Sequence, residues 1–184
     1  MVRIAIISDT HLTNAIYQSK FLSNLRKMLE GFDLILHAGD VLNKEIYDEL
    51  SSIASIIAVK GNNDDHSLDF LPLVMEKEIE GKRFVMAHEI ESIGAALKDF
   101  ADIVIYGHVH HPIIKEIKNK LGNPQLIINP GSLVVPRPPP EKSYGFDKPI
   151  PLPSMAILDI SDGIVSAVIK RFYYKHNENE KGKT

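Results

Sequence analysis

Residues 3–11 read RIAIISDTH and residues 34–40 read LILHAGD, two short apolar runs that each stop on an acidic side chain. Runs of this length bounded by turn signals read as strands rather than helices. Three later runs end in the same manner: IIAVKGN at Asn62, FVMAH at His88 and VIYGH at His108. Outward from these, strands are expected near 3–8, 33–38, 55–60, 83–87, 102–106, 125–128, 154–160 and 164–173. Helix-like segments fall around 15–30, 43–53 and 92–100, the first with Phe21, Leu22, Leu25, Met28 and Leu29 on one face. Helix and strand alternate early and strands dominate later. The fold class is therefore α/β, with parallel βαβ units over the N-terminal two thirds and antiparallel pairing at the end.

The chain has 184 residues, 44% of them hydrophobic, enough for one domain with a substantial core, expected over 1–174. Its net charge of −3, from 21 basic and 24 acidic side chains, offers no surplus for holding extended nucleic acid. No apolar stretch approaches the roughly 20 residues that cross a bilayer, so a soluble, cytoplasmic protein is expected. Seven of the eleven prolines lie between Pro136 and Pro153, which predicts an exposed loop there, and the polar residues 175–184 read as a disordered tail.

There is no cysteine, so any metal must be held by imidazole, carboxylate, amide or water. The five strand ends supply those groups, because ligands in α/β sheets bind beyond the carboxyl ends of parallel strands. Two ends carry a second candidate two residues on, in Asp9-Thr10-His11 and His108-Val109-His110. The set becomes Asp9, His11, Asp40, Asn62, His88, His108 and His110. That is too many donors for one tetrahedral ion, and it suits two ions of higher coordination sharing a carboxylate. Gly39, Gly61 and Gly107 precede three of the candidates, where turns need backbone freedom or close approach. His37, His66, His111 and His176 stay outside the set; His37, just before Gly39-Asp40, is the nearest to it in sequence.

In order, the motifs read DTH, GD, GNND, AHE and GHVH. This series over about residues 3–135 resembles the calcineurin-like metallophosphoesterases, and NPGS at Asn129–Ser132 with Pro136-Arg137 is similar to their small single-domain phosphodiesterase branch. The resemblance implies a two-sheet β-sandwich flanked by helices. It also implies one ion on Asp9, His11 and His110, another on Asn62, His88 and His108, and Asp40 between both, with Asp40, Asn62 and His108 as the expected catalytic members. Mn²⁺ is the first choice for both ions, with Ni²⁺, Zn²⁺, Fe²⁺ or Co²⁺ as alternatives, since mixed nitrogen and oxygen donors disfavour Mg²⁺. The expected reaction is hydrolysis of a small phosphate diester by in-line attack of a metal-bound hydroxide.

Two residues depart from the family pattern. Asn63 stands where many members have histidine, and an amide cannot protonate a leaving group. Glu89 follows His88 in place of the usual glycine, which would set a carboxylate beside the second ion or on the cleft rim. KEIYDEL at residues 44–50 resembles the retromer subunit, a protein-binding relative with a damaged ligand set, so a non-catalytic scaffold is the alternative reading. A phosphomonoesterase or nucleotidase is another. The partners expected are a small phosphate ester and, as one option, a second copy of the chain.

Overall fold

Alternation along β1 (Val2–Ile7) sends Ile4 and Ile6 to one face of a sheet and Ala5 and Ile7 to the other, and all four are fully buried. A strand covered on both faces needs a layer on each side. On one side, Ala5 and Ile7 pack with Ile35 and Ala58 under two helices, α1 (residues 23–29) and α2 (Lys44–Ser51), through Leu25, Leu29, Ile46 and Leu50. On the other, Ile4, Ile6 and Leu36 meet Phe84, Met86, Ile103, Ile105 and Ile128 of a second sheet. The far face of that second sheet buries Val85, Ala87 and Val104 against Ile93 and Leu97 of α3 (Ala95–Phe100) and the turn before it. The layers therefore run helix, sheet, sheet, helix.

The computed structural model describes residues 1–11, 23–134 and 152–172. The start of the first expected helix, most of the proline-rich loop and the polar tail lie outside the described residues. In the first sheet the order is β10 (Ile164–Arg171), β9 (Ser154–Ser161), β1, β2 (Leu34–His37) and β3 (Ser55–Ala58). In the second it is β4 (Val74–Ile79), β5 (Lys82–Ala87), β6 (Ile103–Tyr106), β8 (Pro124–Asn129) and β7 (Ile113–Lys118). β1, β2 and β3 are parallel, as are β5, β6 and β8, while β9 runs antiparallel to β1.

The two-sheet architecture agrees with the expected class, but β4 and β7 were not anticipated. Both are edge strands, and VMEKEI and IIKEIK carry charges where a central strand would be apolar. Such charges suit an edge, where they discourage pairing with other chains, and they hide the alternation that marks a strand. The β4–β5 hairpin also places antiparallel pairing in the middle of the chain, earlier than expected. Its turn uses Glu80 and Gly81, and that of β9–β10 uses Asp162 and Gly163, all at positive φ as a two-residue hairpin requires.

Phe84 is fully buried between the sheets, and truncation there should leave a cavity that neighbouring strands cannot fill. Phe84→Ala is expected to cost about 3–5 kcal/mol, read as a lower urea midpoint with an unchanged slope.

Candidate metal centre

The parallel strands β1, β2, β3, β5 and β6 bring their carboxyl ends together, and all seven candidate side chains follow those ends. Asp9 and Asp40 are 0% and 1% exposed, His88 is buried, His11 and His110 are half-buried, and Asn62 and His108 are exposed at the mouth. Their backbone is unusual. Asp9, His11, Asp40, His108 and His110 adopt φ values of 56°, 32°, 57°, 65° and 53°. Left-handed backbone is disfavoured for residues with a Cβ, so the turns aim these side chains at a conformational cost.

Asp9 Oδ1 lies 3.0 Å from His110 Nε2 and 3.5 Å from His11 Nε2, and those two nitrogens are 3.3 Å apart. Across the cleft, Asn62 Oδ1 is 2.9 Å from His88 Nε2 and 3.1 Å from His108 Nδ1. Asp40 Oδ2 stands between the groups, 3.4 Å from His11 Nε2 and 3.5 Å from His88 Nε2. Donor atoms of Asp9, His11 and His110 lie within 4.8 Å of one another, and so do those of Asp9, Asp40 and His88.

The donor set fits divalent cations. His88 Nδ1 donates to the Ala38 carbonyl at 2.8 Å, so in the neutral ring Nε2 is a bare lone pair. That lone pair faces the oxygens of Asn62 and Asp40. Three acceptors pointing at one another need a proton or a cation among them, and the two imidazole nitrogens of His11 and His110 beside the Asp9 carboxylate pose the same demand.

A surrounding frame holds the carboxylates, most of it invisible to motif reading. The Ser8 hydroxyl lies 2.6 Å from Asp9 Oδ2 and 2.8 Å from the Gly131 carbonyl, and the His108 amide donates to Asp9 Oδ2 at 3.1 Å. Ser132 Oγ donates to the Asp9 carbonyl at 2.9 Å, and Asn129 Nδ2 to that of Gly107 at 2.7 Å. NPGS, read in the sequence only as a likeness, thus braces two metal-site loops. Asn63 donates both its backbone N–H and its side-chain amide to Asp40, at 2.8 and 2.7 Å. Glu89 is half-buried and makes no hydrogen bond with the cluster among the described residues. His66 and His111 are exposed. His37 is fully buried, and neither ring nitrogen meets a partner among the described residues. A cavity of about 470 Å³ among Lys82, Arg83, Phe100 and Val165 contains none of the candidate ligands, so donor chemistry rather than cavity size marks the site.

A two-sheet sandwich with carboxylates and imidazoles gathered at its strand ends has the build of a metal-dependent phosphoesterase. Residues 2–162 match the calcineurin-like phosphoesterase superfamily domain, and the chain belongs to that superfamily. It is 33% identical over 144 residues to a probable metallophosphoesterase of Methanothermobacter thermautotrophicus, covering 73% of this chain and 78% of the relative. It is 30% identical over 151 residues to a protein of Methanocaldococcus jannaschii named as a phosphodiesterase, covering 71% and 83%. In fold it is similar to Vps29 of Chaetomium thermophilum, with a TM-score of 0.70 over 94% of this chain and 97% of that one at 18% identity. It is also similar to Entamoeba histolytica Vps29 complexed with zinc, with a TM-score of 0.60 at 21% identity over 94% of this chain and all of that one. No helix among the described residues is long and apolar enough to cross a membrane.

Protonation in the cluster follows from its contacts. Burial opposes ionisation of Asp9, yet His11, His110 and Ser8 hold its carboxyl well below the usual range. Burial also opposes ionisation of Asp40, but His88 and Asn63 lower it. The bond to Asp9 raises the His11 imidazole against the effect of burial. Burial would lower His88, and bonds to Asp40 and the Ala38 carbonyl raise it instead. Burial pushes His37 down to about 4. By linkage, His11 and His88 add stability that is complete below their ordinary value of 6.5 and is lost as pH rises through their folded values. His37 acts oppositely, its stabilisation fading as pH falls from 6.5 towards 4, and that of Asp9 and Asp40 fades only as pH drops below 3.8. Metal-free protein should therefore melt highest near pH 6.5, with decline on both sides. His37→Leu should flatten the acid decline and leave the alkaline one; thermal melts of both proteins across pH check this, and an equally steep acid limb in the variant would contradict it.

Proposed function

We propose that the protein is a dinuclear-metal-dependent phosphodiesterase acting on small phosphate diesters. The observation that carries this reading is the position of Asp40, whose carboxylate oxygen lies 3.4 and 3.5 Å from imidazole nitrogens of the two opposite donor groups. Asp9, His11 and His110 would hold one ion, Asn62, His88 and His108 the other, and Asp40 both. Mn²⁺ is the first choice, and Ni²⁺, Zn²⁺, Fe²⁺ or Co²⁺ also suit the mixed donors. Bound ions of this kind supply Lewis acidity towards phosphate oxygens and lower the pKa of water at neutral pH.

The chain's own groups do the remainder. The Ala38 carbonyl fixes the His88 tautomer, and Asn63 spans Asp40 so that its carboxylate keeps one orientation. Asn62 and His108 are exposed at the mouth, where a phosphate group would enter. Water would lose one proton to solvent and its oxygen would bond to phosphorus as the opposite ester bond breaks and the alkoxide or phenolate leaves, so a single in-line displacement would invert phosphorus. The departing alkoxide receives no proton from Asn63, whose amide has none to give. Diesters of acidic alcohols or phenols, which leave without protonation, are the substrates this arrangement favours. The scaffold alternative draws on likeness to Vps29, and a likeness at 18% identity speaks for fold alone.

Chelator-stripped protein should regain cleavage of bis(p-nitrophenyl) phosphate on addition of Mn²⁺, faster than cleavage of the monoester. Asp40→Asn should lose at least about 10²-fold in rate, more than loss of an outer contact costs. Silence with every divalent metal despite uptake of ions would favour the scaffold. Asn63→His should raise monoester relative to diester hydrolysis, by up to about 10²-fold if the imidazole reaches the leaving oxygen. An unchanged ratio would show that leaving-group protonation is not what position 63 controls.

A further inference from the structure

Asp64 closes the GNND motif and belongs to neither donor group. Its carboxylate accepts backbone N–H bonds from two loops, Oδ1 from Leu42 at 2.6 Å and Oδ2 from Gly61 at 2.7 Å. Leu42 lies two residues after Asp40, and Gly61 directly precedes Asn62. A carboxylate offers two acceptor oxygens and no donor, which is what two converging N–H groups require. The approach is close: a Cβ on Gly61 would collide with Asp40 Oδ1 and its backbone nitrogen. Leu42 is held at φ 99°, and its carbonyl accepts from Asp65 N at 3.0 Å, so the clasp works against local backbone preference.

We propose that Asp64 is a positioning residue, fixing the spacing of Asp40 and Asn62 and thereby the affinity of the metal site completed by His88 and His108. The inference rests on the two-metal reading and goes beyond it in assigning the spacing of one site to a residue outside the ligand set. The site on Asp9, His11 and His110 shares only Asp40 with the clasped loops and has its own anchors in Ser8, Ser132 and the His108 amide, so loss of the clasp falls more heavily on the site that also uses Asn62.

Asp64→Asn is nearly isosteric and turns one acceptor into a donor that faces an N–H, opening one arm of the clasp. Titration of metal-free protein with Mn²⁺ by calorimetry, paired with thermal melts, is the test. In the variant one of two binding phases should weaken about 10- to 100-fold, the range seen for outer contacts of metal ligands, while the other phase, which shares only Asp40, weakens clearly less. Asp64→Glu retains both acceptors one methylene further out, and should weaken the same phase to a smaller degree, which covers the case of an asparagine variant that does not fold. Unaltered phases would overturn the positioning role. Equal weakening of both with a lowered melting temperature would overturn it as well, since general loosening spares neither site. Wild-type protein that takes up no Mn²⁺ would instead overturn the two-metal reading and the inference with it, an outcome visible before any variant is made.

Discussion

Two carboxylates that cannot reach water govern the structure. Asp9 and Asp40 are essentially unexposed, with oxygens within 4.8 Å of each other. At that distance two negative charges repel by about 3.5 kcal/mol for an effective dielectric of about 20. The fold answers with imidazoles on each side and with N–H donors from His108 and Asn63. Both acids stay ionised for this reason, even though burial pulls the other way.

Holding those groups together constrains the backbone more than the side chains. Five of the seven candidate ligands sit at positive φ, each costing roughly 1–2 kcal/mol for a residue with a Cβ. The buried faces of both sheets supply the rigidity that keeps such turns in place. Glycine appears where loops must touch. Gly39 has φ 88° and lies against the His88 ring, whereas Gly107 is required by contact with the Ala38 carbonyl and the Ser8 side chain. Turn geometry and close approach both require the first, and close approach alone the second.

The candidate ligands were legible because each follows an apolar run that could only be a strand, and parallel strands converge at their carboxyl ends. The frame behind them was not. Ser8, Thr10 and Ser132 act on backbone groups far away in sequence, and Thr10 reaches the Asp40 and Val41 carbonyls, each at 2.9 Å. Nothing about a lone serine or threonine marks it as a brace for a residue thirty or more positions away. β4 and β7 escaped for a different reason: edge strands satisfy one side of their backbone with water, so burial imposes no apolar pattern on them. His37 stays outside the ligand set, and the period-two alternation of β2 puts it on the strand face of Ile35, opposite Leu36.

The fold alone does not decide the chemistry, which lives in the site that the fold carries. Two buried carboxylates, four imidazoles and five left-handed residues at one point are costly unless a cation joins them, which speaks for a metal site and not by itself for catalysis, since a Vps29 of similar fold also holds zinc. Bare lone pairs on His88 Nε2 and Asn62 Oδ1 facing each other at 2.9 Å are a further cost in the neutral state. A cation at this point relieves the repulsion and the facing lone pairs, and its binding energy offsets the backbone strain. Protons on His11 and His88 or a divalent cation meet the same demand, and a cation held there, with Asn62 and His108 exposed beside it, would face an entering phosphate ester.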